Sequence, residues 1–152
     1  MKDRDCLALR VRSGRLTLLD QSRLPHVQAW FAVDDVDTLV EAIHALRTRG
    51  APMIAIAAAL LVAVRVEAGD DHETVGRAIA RLREARPTAV NLMHAMDALA
   101  RALEADDWRA AVVDSAEALF DNDRALCEAM AEHGAAHIAK KALADLVHNS
   151  GS

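Results

Sequence analysis

The sequence predicts an α+β fold that is mostly α: a small N-terminal antiparallel sheet, built on a β-hairpin with a third strand, followed by a bundle of five to six helices. Three observations predict it. Apolar residues alternate with period two on both sides of Ser13-Gly14, the pattern of a half-buried hairpin. From Val36 onward apolar residues recur at helical spacing. Hydrophobic residues make up 53% of the chain and aromatics only 3%, so the core is assembled from Ala, Leu, Val, Ile and Met, a set that favours helix.

Leu7, Leu9 and Val11 precede the hairpin turn, and Leu16 and Leu18 follow it. Gly14 supplies the positive φ of a tight turn. Val27–Val33 reads as the third strand. Its Trp30 and Phe31 are two of the four Trp and Phe residues in the chain, and they suit a staple between hairpin and helices. Asp34 or Asp35 then caps a helix, whose stripe is Val36, Leu39, Val40, Ile43 and Leu46. Gly50 ends that helix, and Pro52 opens the next, where its missing N–H costs nothing. The run Ala51–Val64 is apolar all round, which places it at the centre of the bundle. Gly69-Asp70-Asp71 breaks the chain and caps a helix with a narrow face of Val75, Ile79 and Leu82. Arg86 precedes Pro87 and is biased out of the α region, so that helix stops there. Thr88 can cap the following one, with Leu92, Met96, Leu99 and Leu103 inside. After Asp106-Asp107 a stripe of Trp108, Ala111, Val112, Ser115 and Leu119 resumes as Leu126, Cys127, Met130 and Ile138. No glycine or proline interrupts Trp108 to His133, so one long helix or two abutting ones fit.

The 152 residues carry 18 basic and 23 acidic side chains, a net charge of −5. No basic stripe with interleaved aromatics occurs, which disfavours nucleic-acid binding. The longest apolar run is shorter than a membrane span, so no membrane is expected. Cys6 and Cys127 have no pairing signature, which fits a reducing, cytoplasmic setting. Neither has the setting of a reactive thiol. His133 and His137 stand four apart, but neither a third ligand nor a general base accompanies them, and they read as surface histidines; His44 and His94 read as surface or satisfied core residues. No metal and no cofactor is expected.

The segment with the most chemistry is Arg49-Gly50-Ala51-Pro52. A helix N-terminus attracts anions through its free N–H groups and dipole, an arginine adds a bidentate fork for phosphate oxygens, and Gly50 and Ala51 let a ligand approach the backbone. Arg86 stands in the same way before a second helix start. By residue chemistry this is a phosphate site or a tight turn between packed helices with Arg49 solvated, and a glycine-plus-arginine turn alone is a weak motif.

Three motifs in order bear on that choice: Gly14-Arg15-Leu16 with Leu19-Asp20-Gln21 and Leu24-Pro25; Arg49-Gly50-Ala51-Pro52; and Arg86-Pro87-Thr88-Ala89-Val90-Asn91-Leu92. Together they resemble the N-terminal half of the methylthioribose-1-phosphate isomerase family, which is related to the regulatory subunits of initiation factor 2B. The resemblance covers roughly residues 7 to 138. It implies aldose–ketose isomerisation of a pentose phosphate in methionine salvage, a homodimer for the full-length enzyme, and substrate contacts by Arg49, Gly50, Ala51 and Arg86. In the family the acid and base are a cysteine and an aspartate of a C-terminal Rossmann-like half. No such half is expected within residues 1–152, so no catalytic residue is assigned and the chain by itself is expected to be inactive. Residues 1–139 would form the substrate-side domain, with its sugar-phosphate substrate and the missing catalytic domain as partners. Residues 140–152 depart from the family: where it has a His-Cys-Asn segment, His148 and Asn149 are adjacent, after a helical Lys140–Ala144. Two alternatives stay open, the same domain of a 5-deoxyribose-1-phosphate isomerase and a non-catalytic helical interaction module.

Overall fold

In the computed structural model, residues 1–149 are described, with side-chain environments through residue 138. The order of elements is β1 (Arg4–Asp5), β2 (Leu9–Arg12), β3 (Arg15–Leu19), β4 (Trp30–Val33), α1 (Val36–His44), α2 (Ala51–Glu67), α3 (His72–Glu84), α4 (Val90–Leu103) and α5 (Trp108–Asn149). The fold is α+β and mostly α, as expected. The chain divides into two compact units, Met1–Leu119 and Phe120–Ser152.

The strands form one antiparallel sheet in the order β1-β2-β3-β4. The hairpin closes as its period-two pattern predicts from Leu9 onward, whereas Leu7, expected on the same face, lies before β2 and is 95% exposed. Arg12 pairs with Arg15, and the two residues between them, Ser13 at φ 49 and Gly14 at φ 71, form the left-handed two-residue turn that matches strand twist. Leu9, Val11, Leu16 and Leu18 lie on the buried face. The sheet has four strands, not three, because Arg4 and Asp5 add a short edge against Val11 and Arg10. The last strand is shorter than the Val27–Val33 expected. The Val27 amide donates back to the Arg23 carbonyl (3.0 Å), so it is withdrawn from the ladder and the side chain stays 45% exposed.

Asp35 caps α1 by accepting from the Thr38 amide, and Asp71 caps α3 through the Thr74 amide, each at 2.7 Å. Helix α2 occupies the centre: it packs on α4, α3, α1 and β3, and every residue from Ile54 to Ala63 is buried. The apolar faces of α3 (Val75, Ile79, Leu82) and α4 (Leu92, Met96, Leu99) close on it, while Leu103 is half-buried. At the far end of α4, His72 shares a hydrogen bond with the Leu103 carbonyl (3.0 Å) and meets the Trp108 ring edge-on.

Three local expectations are corrected. Helix α1 ends at His44, six residues before Gly50, because Leu46 takes the left-handed conformation (φ 57) and the Arg47 and Thr48 amides both turn back to the Ala42 carbonyl. Leu46 is therefore not in the α1 stripe but 47% exposed. The cap of α4 is Ala89, not Thr88: a turn from the Arg86 carbonyl to the Ala89 amide (2.9 Å) places Thr88 outside the helix. Finally, the apolar stripe expected to continue past Leu119 is not covered, although α5 is one continuous helix, the first of the two arrangements left open. Val112 and Ala116 are buried in the first unit, but in the second Leu126, Met130 and Ile138 are 64–69% exposed and Cys127 is exposed. Residue 139 lies within α5, and the side chains of His148 and Asn149 lie outside the described residues.

Candidate phosphate-binding end of the bundle

The connection from α1 to α2 is built backwards from Gly50. At φ 94 and ψ 124 its backbone is in a region that costs other residues free energy. A side chain there would have space, since a Cβ would meet only the Met53 Cβ at 3.8 Å, so conformation is what selects glycine. The Gly50 carbonyl accepts the Ile54 amide (3.0 Å), the first bond of α2. No side chain caps this helix, its first turn holds no acid, and Pro52 sits in it. Its leading N–H groups therefore keep their partial positive charge. Ala51 is exposed, as are Arg49 and Gly50.

The start of α4 has the same character. Ala89 offers no side-chain cap and the first turn holds no acid. Arg86, one turn ahead, is half-buried. By contrast α1 and α3 each begin on a capping aspartate with a further acid, Asp37 or Glu73, in the first turn. The first turn of α5 also holds no acid, but the Asp107 carboxylate just before it accepts from the Ala110 amide (3.4 Å); α2 and α4, preceded by Arg49 and Arg86, begin with neither an acid nor a carboxylate cap.

Both connections lie at one end of the bundle. Helices α2 and α3 are joined by the short turn 68–71 and pack on each other, so α3 returns the chain to where α2 began. A hydrogen bond fastens that end: His44 Nε2, in the last turn of α1, lies 2.7 Å from the Ala85 carbonyl, next to Arg86. Arg49 Nη2 donates to the Gln21 carbonyl (3.3 Å).

Residues just after β3 brace the connection, and sequence reasoning gave them no role. Asp20 is 9% exposed. Its Oδ1 accepts from the Ser22 amide (3.1 Å) and hydroxyl (2.6 Å), and its Oδ2 from Arg47 Nε (3.2 Å). The Ser22 hydroxyl and amide, with the Arg47 guanidinium, hold this carboxyl below the usual carboxylate range against the upward push of burial. The Gln21 amide donates to the Arg47 carbonyl (2.8 Å). The signal for the turn was present, since an Asp two residues before a Ser is a common Asx-turn arrangement. Nothing local in the sequence announced Arg47 as its partner, 27 positions away.

Other clusters fit less well. A hollow of about 360 Å³ beside α1 and α3 holds Arg65, Arg77 and Arg81, but Arg65 pairs with Asp70, Arg77 with Glu73 and Arg81 with Asp37, so no surplus charge remains there for an anion. His133 Nδ1 lies 2.8 Å from the Ala129 carbonyl of its own helix, and among the described residues no group of three His, Cys, Asp or Glu side chains converges on a metal position.

Comparison with known proteins agrees with the fold. The model of the initiation factor 2 subunit family (IF-2B) matches residues 47–151. Methylthioribose-1-phosphate isomerase of Yersinia pestis (strain Pestoides F) is 44% identical over 134 residues, covering 88% of this chain and 39% of that protein. The enzyme of the same name from Klebsiella pneumoniae (strain 342) is 43% identical over 129 residues, covering 85% and 38%. Among solved structures, 5-methylthioribose 1-phosphate isomerase from Pyrococcus horikoshii OT3 superposes with a TM-score of 0.67 at 25% identity, covering 76% of this chain and 36% of that one. The delta subunit of translation initiation factor eIF-2B from A. fulgidus gives 0.64 at 27% identity, covering 76% and 37%. This chain thus spans about two-fifths of the length of the curated relatives it matches. It belongs to the initiation factor 2 subunit family.

Proposed function

We propose that this chain is the substrate-side part of an aldose–ketose isomerase acting on methylthioribose 1-phosphate, and that Arg49, Gly50, Ala51 and Arg86 contact the substrate around its phosphate. The observation that carries the reading is the pairing of two acid-free, uncapped helix N-termini, each preceded by an arginine, at one end of the bundle. Oxyanions are stabilised by free N–H groups, helix dipoles and guanidinium forks together. In a ribose 1-phosphate the anomeric oxygen carries the phosphate, so the ring cannot simply open to an aldehyde, and isomerisation needs a placed acid and base. The resemblance puts those in a further, Rossmann-like half, and this chain's share of the work is binding and orientation. With remote contacts held here, binding energy can be used to align the reacting carbons. Dimerisation of the complete enzyme and work in the cytoplasm belong to the same proposal; among the described residues no helix is long and apolar enough to cross a membrane.

The test joins residues 1–139 to the remaining length of the Yersinia pestis relative and follows conversion of methylthioribose 1-phosphate by NMR. The chimera should turn over and the chain alone should not. Arg86→Ala should mainly raise KM and lower kcat/KM, with a smaller loss of kcat, because it removes a contact to a non-reacting part of the substrate. Turnover by the chain alone, or unchanged KM in both Arg49→Ala and Arg86→Ala, would sink the reading. The same assay with 5-deoxyribose 1-phosphate separates the sister isomerase, which this half would suit equally. The likeness to the initiation factor subunit motivates the second reading, a non-catalytic interaction module, and a folded chimera with neither activity would support it.

A further inference from the structure

We propose that Asp20 is a positioning residue for the α1–α2 connection: through Arg47 and the Gln21 backbone it fixes where the Arg49 guanidinium and the start of α2 stand. The inference rests on the reading of that connection as a phosphate contact and adds the group that holds it in shape. Asp20 follows directly on β3, so it is anchored to the sheet rather than to the bundle. Both of its oxygens are used, Oδ1 by Ser22 and Oδ2 by Arg47, which makes it a brace and not a ligand.

Two straps leave this corner. One runs from the Asp20 carboxylate to Arg47 Nε, and the Gln21 amide reinforces it by donating to the Arg47 carbonyl. The other runs from the Gln21 carbonyl to Arg49 Nη2. Between them lies Thr48, 2% exposed. Arg47 is held on two further sides, by Glu41 Oε2 at 2.9 Å from Nη1 and by the Phe31 ring, whose centroid is 3.8 Å from its guanidinium carbon. The positive charge of Arg47 is thereby engaged by Asp20 and Glu41, whereas the described bond of Arg49 goes to a neutral backbone carbonyl. Arg49 keeps its charge for an anion, and Asp20 determines its place at one remove. An anion site loses affinity when its donors must be ordered at the moment of binding, so loosening the brace weakens binding without removing any contact.

The experiment titrates inorganic phosphate into the ¹⁵N-labelled chain and follows the Gly50 and Ala51 amides, with amide exchange of residues 47–51 as a second readout. The native chain should show saturable shifts at both amides. Asp20→Asn should bind about tenfold more weakly, the scale of losing one charge-assisted hydrogen bond, with faster exchange at 47–51 and unchanged exchange in α2 from Ala57 onward. Arg47→Gln, which leaves the Ser22 bonds of Asp20 intact, should do the same and serves if Asp20→Asn fails to fold. Ile79→Val, in the buried face of α3, lowers stability without touching the brace and should leave phosphate affinity unchanged. If both brace variants bind phosphate as the native chain does, or if Ile79→Val weakens binding equally, Asp20 has no positioning role while the phosphate site itself stands. If the native chain shows no shift at Gly50 and Ala51, the phosphate reading falls, and the proposal with it.

Discussion

Replacing Ile56 by aspartate puts the central position of α2 to the test. Ile56 is 3% exposed, in a stretch where every neighbour along the helix is buried. Removing its side chain from the core forfeits about 1.5–3 kcal/mol of apolar burial. The new carboxyl has to lose either its charge or its burial. Keeping it neutral at pH 7 against an ordinary pKa near 3.9 costs about 4 kcal/mol, and leaving the neutral group without a partner costs roughly 1–3 kcal/mol more. The total is roughly 7–10 kcal/mol, against a stability of roughly 5–15 kcal/mol for a domain. The variant should therefore be largely unfolded at 37 °C, while Ile56→Val should lose only about 0.5–1.5 kcal/mol. Circular dichroism at the helical band, followed on heating and in urea, reads both. The pH response carries a further signature. A buried carboxyl has a raised folded pKa, so the folded state binds the proton more tightly than the unfolded one. Any residual stability of Ile56→Asp should rise as pH falls from 8 towards 5. A variant melting within about 3 °C of the parent, roughly 1 kcal/mol for a domain of this size, would mean that α2 is not the centre of the bundle.

Two further outcomes follow. Leu46→Gly should stabilise the chain by up to ~1 kcal/mol, because a left-handed φ of 57 strains leucine but not glycine and the side chain is half-exposed; a urea midpoint shifted downward would refute the strain. Asp20, Asp35 and Asp97 have lowered folded pKa values, owing first to Ser22, to the Thr38 amide and to the Arg83 guanidinium; their contribution is present above the unfolded pKa near 4 and is lost as pH falls through the folded values, so Tm should fall steeply below about pH 4, and a Tm unchanged down to pH 2 would contradict it.

Elements whose signal is local were legible in the chain. The hairpin was written in period-two leucines around Ser13-Gly14, and Asp71 before His72 announced a cap that the structure makes to Thr74. Helix α2 was legible for a different reason: a run apolar on all sides has nowhere to sit but the centre. What the sequence misassigned depended on competition between two local solutions. Both Leu46 and Gly50 adopt positive φ, and glycine was the obvious terminator. The chain instead ends α1 on a leucine and keeps its glycine for the entry to α2. In α5 the apolar spacing continued past Leu119, but spacing specifies a face and not what covers it, and Leu126 and Met130 are exposed.

That exchange of roles between Leu46 and Gly50 links the fold to the candidate site. Had α1 run on to Gly50, the glycine would have ended one helix and Arg49 would have been part of its last turn. Because α1 stops at His44, residues 45–50 become a connection long enough to be braced independently, by Asp20 and Gln21 on the sheet side and by His44 on the α3 side. Gly50 is then free to set the direction of α2 with its N–H groups uncapped. The motif Arg49-Gly50-Ala51-Pro52 was visible as a string, but its meaning depends on those bonds to residues 20, 21 and 85, none of them near in sequence. A strained leucine upstream and a glycine at the helix entry are what a chain needs if the start of α2 is to be presented to a ligand rather than buried in a tight turn.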